Sequence, residues 1–381
     1  IVRATGMVQM TPLRADLEIK ADPVTSGLIN LAGAFAGGYD LERTSAKADL
    51  AFTLADPQSI ALDGTLIMRD FTLHSEEFDL SQMPSSDITL DFALETALPD
   101  KVTAKHLDLS IRQQGRDVVA VKLDKALTVL LKKQEDMAGG TVAPAHLTAA
   151  VSDLPVATLK PFIPENAGVN VQNGMLSAEL RTVIAELGHD VALAGTITAS
   201  NVDVTAGELH WSGVTLEEKL DLQLQDFERL AVRKQDLTIQ INAKRVCAVS
   251  AEGSIDMKTQ SGTITASVDT LNEGLFTGVP AAVMGGYAVD VLRVTGKTVA
   301  DIEKGGQTVH LKGGLSIDRL VLSTAGAATK PVEGELDYSV RWDVEEGIDA
   351  ESIVIRMNRE AAEEKLAREA DYEPAEEQAA N

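Results

Sequence analysis

Apolar and polar side chains alternate strictly in Leu237–Ile241, which reads LTIQI. The same period of two recurs in Ile88–Phe92 (ITLDF), Leu220–Leu224 (LDLQL) and Ile353–Met357 (IVIRM). A period of two over about four to eight residues is typical of a β-strand with one buried face. Roughly twenty such runs, separated by turn residues, predict an all-β chain with minor helix. Because the connections are short, we expect mostly antiparallel pairing between neighbouring strands.

Two stretches depart from the alternation, and the end of the sequence differs in composition. Residues 155–164, which contain three prolines, and residues 272–284 predict short helical segments. Residues 359–381 are rich in acids and alanine, which predicts a tail that is either helical or disordered. The β-rich body is therefore expected to span residues 1–358, with a sub-boundary near 140–165.

A diverged unit recurs around Gly64, Gly195 and Gly313. Counted from each glycine, apolar residues stand at positions −2, +2, +7 and +9 in all three copies. The parity changes between +2 and +7, so the strand must bulge or bend there, as between Met68 and Phe71, to keep its apolar residues on one side. A glycine inside a strand marks a bend or a close approach of two backbones. The unit therefore predicts a long, strongly curved sheet.

Composition limits the classes of function. The chain has 381 residues and a net charge of −24, from 34 basic and 58 acidic side chains. A single compact core stops growing at about 250–300 residues, so we expect two domains or one elongated body. The acidic charge argues against nucleic-acid binding, and against docking of the protein body on an anionic membrane surface.

No pattern of catalytic or metal-ligating residues stands out. There is no phosphate-binding loop, no nucleophile elbow and no zinc-protease or EF-hand motif, and the six histidines lack metal-pair spacing. Carboxylate pairs such as Glu217 and Glu218 are common in so acidic a chain and do not by themselves indicate acid–base chemistry. The single cysteine, Cys247, is interpreted as a small buried hydrophobe, and Trp211 and Trp342 as core aromatics. We therefore expect no enzyme activity, no metal and no cofactor.

The apolar residues are overwhelmingly aliphatic, which suits either a closed core or a groove for acyl chains. Burial of an acyl chain contributes about 0.8 kcal/mol per methylene. The candidate groove-lining residues are the apolar residues at alternate positions of the repeated unit, which share one side of the strand. They are Leu62, Leu66, Met68, Leu193, Ile197, Leu311, Leu315 and Ile317.

Residues 145–208 resemble AsmA-like proteins of the bacterial envelope. The resemblance lies in Asp153-Leu154, the proline-bounded Leu159–Pro164 (LKPFIP), Gly174–Leu180 (GMLSAEL) and Leu193–Ile197 (LAGTI). Residues 237–275 are similar to the next part of the family's pattern, and the same pattern of alternation and glycine extends to Met357. Most of these positions are strand alternation plus glycine, and it is their order that carries the resemblance.

The resemblance implies a bridge-like lipid transfer protein. Proteins of this family curl their sheet into a long open trough that shields phospholipid acyl chains between the inner and outer membranes. About twenty strands spaced about 4.8 Å apart would give a trough of roughly 90–100 Å. The implied location is the periplasm. The implied partners are phospholipid, the inner membrane through an anchor outside this chain, and other envelope proteins. The chain starts with Ile1, no signal peptide is visible, and no run reaches the ~18 apolar residues of a membrane helix, so we expect that anchor upstream.

Two alternatives stay open. A non-catalytic envelope scaffold or outer-membrane assembly factor would pack the same apolar residues into a closed β core and dock partners through edge strands or the acidic tail. A glycan-active β-helix enzyme would need parallel coils and a carboxylate cluster, and the hairpin-like turns and scarce aromatic residues argue against it.

Overall fold

The computed structural model describes residues 2–26, 44–71, 84–97, 101–130, 144–162, 168–185, 190–324, 327–344 and 347–358. Strand makes up 82% of the structure and helix 4%, and the 21 strands form an open antiparallel sheet structure. The prediction of an all-β fold with minor helix is confirmed. The predicted tail at 359–381 lies outside the described residues.

Contacts divide the chain into two compact units. Unit 1 comprises Ile1–Val202 and Asp221–Phe227, and unit 2 comprises Asp203–Leu220 and Glu228–Asn381. The interval 140–165, where the sequence suggested a sub-boundary, lies within unit 1.

Unit 1 holds the first eleven strands and part of the next two. Their bounds are β1 Val2–Met10, β2 Leu13–Thr25, β3 Ser45–Asp56, β4 Ser59–Phe71, β5 Ser86–Ala97, β6 Lys101–Gln113, β7 Arg116–Lys125, β8 Leu127–Leu130, β9 Ala145–Pro155, β10 Val169–Gln172, β11 Met175–Ala185, β12 Asp190–Ala206 and β13 Leu209–Gln225. From β1 to β7 each strand pairs antiparallel with the next. β8 pairs with β6, and the ladder then continues from β7 through β9 and β11 to β12.

Unit 2 repeats the same up-and-down arrangement. Its remaining strands are β14 Arg229–Ile241, β15 Lys244–Asp256, β16 Ser261–Asn272, β17 Ala288–Glu303, β18 Thr308–Thr324, β19 Ala327–Ala328, β20 Val332–Asp343 and β21 Gly347–Asn358. Each of β14 to β17 pairs antiparallel with the next strand, β18 pairs with both β19 and β20, and β20 pairs with β21.

Short 3-10 helices occur where the sequence predicted helical segments. They span Val156–Phe162 and Glu273–Phe276, and a third single turn spans Lys304–Gly306. Asn272 caps the second helix, because its side chain accepts a 3.0 Å hydrogen bond from the Gly274 N–H. A capping side-chain oxygen satisfies a backbone donor that the helix itself leaves unpaired.

The predicted bulge in the repeated unit is confirmed. In the pairing of β4 with β5, Met68 faces Ile88 but Phe71 faces Ser86, so the register shifts between them. Asp70 lies in this bulge and has a left-handed backbone conformation (φ 50°). Asp153 and Asn201 have the same conformation. Asp and Asn tolerate this conformation better than other non-glycine residues. The strand therefore bends while its apolar residues stay on one side.

The predicted close approach at the strand glycines is also confirmed. A Cβ atom placed on Gly195 would collide with the backbone oxygen of Glu179 and come within 2.8 Å of the Leu180 Cδ2 atom. Gly64 has the same relation to Asp49 and Leu50. Each glycine thus makes room for a leucine side chain of the neighbouring strand to lie over it.

Candidate functional site

The register in unit 2 sorts side chains onto two chemically different faces of the sheet. In the pairing of β15 with β16, Val249 faces Val268 and Ala251 faces Ala266, whereas the intervening Ser250 faces Ser267. Directly paired residues in an antiparallel ladder point to the same side of the sheet. One side of this pair of strands is therefore aliphatic, and we call it the apolar face. The other side, which carries hydroxyl and charged groups, is the polar face.

The apolar face of unit 2 continues through every later pairing in the unit. Its large members on the last four long strands are Val294, Ala300, Ile302, Val309, Leu311, Leu315, Ile317, Val332, Leu336, Val340, Trp342, Ile348, Ile353, Ile355 and Met357. Register shifts at bulges, as between Ile317 and Leu320, keep the apolar residues on this face.

Unit 1 has an apolar face of its own, built in the same way. Its large members include Leu17, Ile19, Leu50, Phe52, Leu62, Leu66, Met68, Leu90, Phe92, Leu107, Leu109, Ile111, Val119, Val121, Leu147, Val151, Leu180, Ile184, Leu193 and Ile197. Among the described residues that these pairings place on this face, the one charged side chain is Arg116, which faces Gln113 at the start of β7.

All eight residues predicted to line a groove lie on these apolar faces. In unit 1, β4 carries Leu62, Leu66 and Met68, and β12 carries Leu193 and Ile197; in unit 2, β18 carries Leu311, Leu315 and Ile317. All eight are half-buried. Within a unit their neighbours are mostly aliphatic or small residues that the repeated unit did not single out; Phe52, which faces Leu62, is aromatic.

The neighbours of two predicted residues show what the sequence-based selection missed. Leu66 lies between Ala48 and Leu90, and Leu315 lies between Gly296 and Leu336. The alternation in each strand was the signal that could have found them.

Little of the described part of the chain covers the apolar faces. Within each unit a strand contacts the strands beside it in the sheet and the short helices. Among the described residues only 12 apolar side chains are buried. On β21, Ile348 is 76% exposed, Ile355 61% and Met357 69%. A compact protein normally buries residues of this kind, and contiguous exposed apolar surface marks a site of interaction.

A small core is the exception in unit 2. Ile241, Val246 and Cys247 are buried, and Trp211, Leu271 and Leu275 are among the residues that pack against them. The core forms where the turn Glu273–Phe276 packs onto β15 and β17. Cys247 is only 8% exposed, which confirms its interpretation as a buried hydrophobe, and burial raises the pKa of its thiol.

The two tryptophans differ. Trp211 packs in the core as predicted, and its indole N–H donates a 2.8 Å hydrogen bond to the Leu275 carbonyl. Trp342 is 40% exposed and lies on the apolar face opposite Val309, so its interpretation as a core aromatic was wrong. A strand residue becomes part of a core only where another element covers it.

Several polar groups on the apolar faces bond to each other or to the backbone. The hydroxyl groups of Thr298 and Tyr338 form a hydrogen bond across the Gly313 position between them. In unit 1, the Thr96 hydroxyl accepts a 3.3 Å hydrogen bond from the Ile60 N–H. Polar atoms that are satisfied inside the protein do not need water, so these hydroxyls preserve an apolar surface.

One carboxylate interrupts the apolar face of unit 2. A bulge in β14 places Arg233 and Lys234 together opposite Glu252, which brings Gln235 opposite Ala251 on the apolar face. The Gln235 amide donates a 2.7 Å hydrogen bond to Glu218 Oε1. Glu218 has the parity of Leu216 and Leu220 in β13 and is half-buried.

The polar face of unit 2 is rich in charge of both signs. A cavity of about 490 Å³ lies there, lined by β13 to β16, with Lys219, Arg233 and Arg245 facing Glu252 and Asp269. Lys219 pairs with Glu217 at 2.7 Å. Glu217 and Glu218 therefore point to opposite faces and do not form a carboxylate pair.

The described residues hold no group of three or more His, Cys, Asp or Glu side chains positioned for a metal ion. None of the helices in this part of the chain is long and apolar enough to span a membrane. The chain matches no protein-family model, no curated protein and no solved structure.

Proposed function

We propose that the apolar faces bind phospholipid acyl chains and that the chain is a lipid-binding and lipid-transfer segment of the bacterial envelope. The observation that carries the proposal is the set of aliphatic rows that runs from strand to strand with little protein over it. Each buried methylene contributes about 0.8 kcal/mol, so a dozen methylenes laid along such rows contribute about 10 kcal/mol.

The distribution of charge supports an amphiphilic ligand. Nearly all charged side chains of the described strands lie on the polar faces, where Lys105 pairs with Glu95 and Arg112 with Asp117. Charges that stay in water on one side of the sheet leave the other side free for acyl chains. Lipid head groups would then remain in solvent beside the strands.

On the strength of the resemblance to AsmA-like proteins, we propose that this activity takes place in the periplasm, with transport between the inner and outer membranes and an anchor outside this chain. We propose no catalytic step.

Native mass spectrometry tests the binding. The purified chain is incubated with phosphatidylethanolamine–phosphatidylglycerol vesicles, separated from them, and measured with lipid extraction of the same sample. We expect bound phospholipid, and we expect the double variant Leu311→Asn/Leu315→Asn to lose most of what unit 2 binds. The matched control is Lys312→Asn/Ser316→Asn, which introduces the same side chains into the same strand on the polar face.

Circular dichroism first confirms that both variants keep the strand content of the parent. A chain that takes up no lipid, or equal loss of lipid in the two double variants, would contradict the proposal. The first of these results would favour a scaffold whose apolar faces are closed in solution.

A further inference from the structure

The loop between β16 and β17 is an exposed apolar element that the proposed function does not use. Residues 274–289 carry no charged side chain, although charged residues make up 24% of the chain. Residues 281–283 and 285–288 are exposed, with Val283 54% and Tyr287 47% exposed. We call residues 277–287 the apolar loop.

Local hydrogen bonds pair part of the backbone of the apolar loop. The N–H groups of Val283, Gly285, Gly286 and Tyr287 donate to the carbonyls of residues 280, 282, 281 and 284 at 2.7–3.3 Å. Val279 bonds in the same way to Phe276 at 3.0 Å. A segment that enters lipid must satisfy its backbone polar groups internally, because lipid offers no partners.

The base of the loop is held rigidly. The His210 N–H donates a 3.0 Å hydrogen bond to the Gly278 carbonyl, and the Trp211 indole donates to Leu275 at 2.8 Å. The small core of Ile241, Val246 and Cys247 lies directly beneath this attachment. The base of the loop is therefore attached to the small core of unit 2.

Basic residues lie beside the base. Lys244 and Arg245 are exposed at the start of β15, and the Asn272 side chain ties that segment to the loop by a 2.7 Å hydrogen bond to the Arg245 carbonyl. Two acids flank the loop in the chain. Glu273 accepts a 3.1 Å hydrogen bond from the Leu292 N–H, and exposed Asp290 accepts a 2.8 Å hydrogen bond from the Ser323 hydroxyl. The loop itself carries no charge, and Lys244 and Arg245 offset the two flanking acids, so an anionic surface repels this region less than it repels the acidic chain as a whole.

The composition of the loop occurs a second time in the sequence. Residues 274–287 read GLFTGVPAAVMGGY, and residues 27–39 read GLINLAGAFAGGY. Both segments start with Gly-Leu, end with Gly-Gly-Tyr and contain no charge. The repetition argues that such segments are a reused element of the chain.

We propose that the apolar loop inserts into the interface of a phospholipid bilayer and docks unit 2 on a membrane. Val283 and the neighbouring alanines would enter the acyl-chain boundary, and Tyr287 would lie at head-group depth, where aromatic residues with a polar tip are favoured. This inference does not depend on lipid binding by the apolar face, since the loop and the face are different surfaces.

Site-specific fluorescence tests the insertion. Val283→Cys is labelled with the environment-sensitive dye NBD, and Val344→Cys is the matched control. Val344 is an exposed valine (60%) in the turn after β20, and its N–H bonds to Gln307, at the end of β17 opposite the loop. Buried Cys247 stays unlabelled, which the unsubstituted protein verifies. On zwitterionic phosphatidylcholine vesicles we expect a severalfold rise and a blue shift of the NBD emission at position 283 and little change at 344.

Vesicle flotation with unlabelled variants gives a second measurement. Val283→Asp is expected to lower the floated fraction about tenfold, whereas Val344→Asp leaves it unchanged. Equal NBD responses at the two positions, or equal flotation of the two variants, would overturn the inference. So would a Val283→Asp variant that changes the sedimentation of the protein without vesicles, since the loop would then cover a second copy or another protein surface.

If Val283→Asp no longer floats with vesicles but its apolar face still takes up lipid normally, the result supports docking by the loop. Normal flotation of a protein that takes up no lipid would contradict only the proposed function.

Discussion

The apolar face of unit 2 and the small core of the same unit contain the same residue types in opposite surroundings. Ile241 and Val246 are 7% and 2% exposed in the core, whereas Ile348 and Ile355 are 76% and 61% exposed on the face. The turn Glu273–Phe276 and Trp211 account for the difference, because they cover one stretch of sheet and leave the rest open. Hydrophobic side chains therefore stabilise the fold where another element covers them, and are available for binding where none does.

The largest expected effect comes from truncating one isoleucine in each region. Ile241→Ala should lower the free energy of unfolding of unit 2 by about 2–4 kcal/mol, because it leaves a cavity in a packed core. Ile355→Ala should change it by less than about 0.5 kcal/mol, because that side chain is already in water. Denaturant unfolding followed by Trp211 fluorescence, in a Trp342→Phe background, measures both.

An equal cost for the two isoleucines would break the comparison. It would mean that another surface covers β21 in solution. Because the chain has two units, the Trp211 signal is needed to assign the transition to unit 2.

The fold was largely predictable from the sequence because strand alternation is local. The bulge after Met68 followed from parity alone, and the close approach at Gly195 followed from a glycine inside a strand. Burial of Trp211 and Cys247 was predicted, but the turn that covers them was not, since it contacts Trp211 from more than 60 residues away in sequence. The alternation around Glu218 could have indicated its face, although the sequence analysis did not use it, whereas Gln235 reaches that face only through the bulge at residues 233–234.

The hydroxyl pair on the apolar face should give the next largest effect. Tyr338→Phe removes the partner of the Thr298 hydroxyl and should cost about 1 kcal/mol of unfolding free energy. Thr298→Val in the same background should recover most of that loss, because it removes the orphaned polar group. A double-mutant cycle of unfolding free energies measures the coupling. Coupling near zero would show that solvent satisfies both hydroxyls and that this part of the face is wetter than its neighbours suggest.

Glu218 tests whether a charge limits what the apolar face can bind. Glu218→Leu should raise the uptake of anionic phosphatidylglycerol about threefold, or roughly 0.6 kcal/mol, because it removes a carboxylate that repels the lipid phosphate. Glu217→Leu is the matched control one residue away on the polar face, where Glu217 pairs with Lys219. Quantified extraction of bound lipid from both variants makes the comparison, and equal uptake by the two would place the lipid away from Glu218.

The smallest effect concerns the turns, where the two units use the same chemistry. Asp256 opens the turn after β15, and its Oδ1 accepts hydrogen bonds from the N–H groups of Lys258 and Thr259 at 3.0 and 2.7 Å. Asp56 opens the turn after β3 and accepts a 2.8 Å bond from Gln58. These bonds hold the pKa of both carboxyl groups below the ordinary 3.8.

A carboxyl group with a lowered pKa in the folded state adds stability above its ordinary pKa and loses that contribution as the pH falls through the lowered value. Asp256→Ala should therefore have a lower free energy of unfolding than the parent at pH 7. This difference between variant and parent, called the gap, should narrow below about pH 4. Asp56→Ala should show the same narrowing in unit 1. Denaturant unfolding between pH 3 and 7 measures the gap for each unit. A gap independent of pH would mean that the aspartates act through turn geometry rather than charge, and that coverage of the sheet, not its turns, sets how each unit responds to acid.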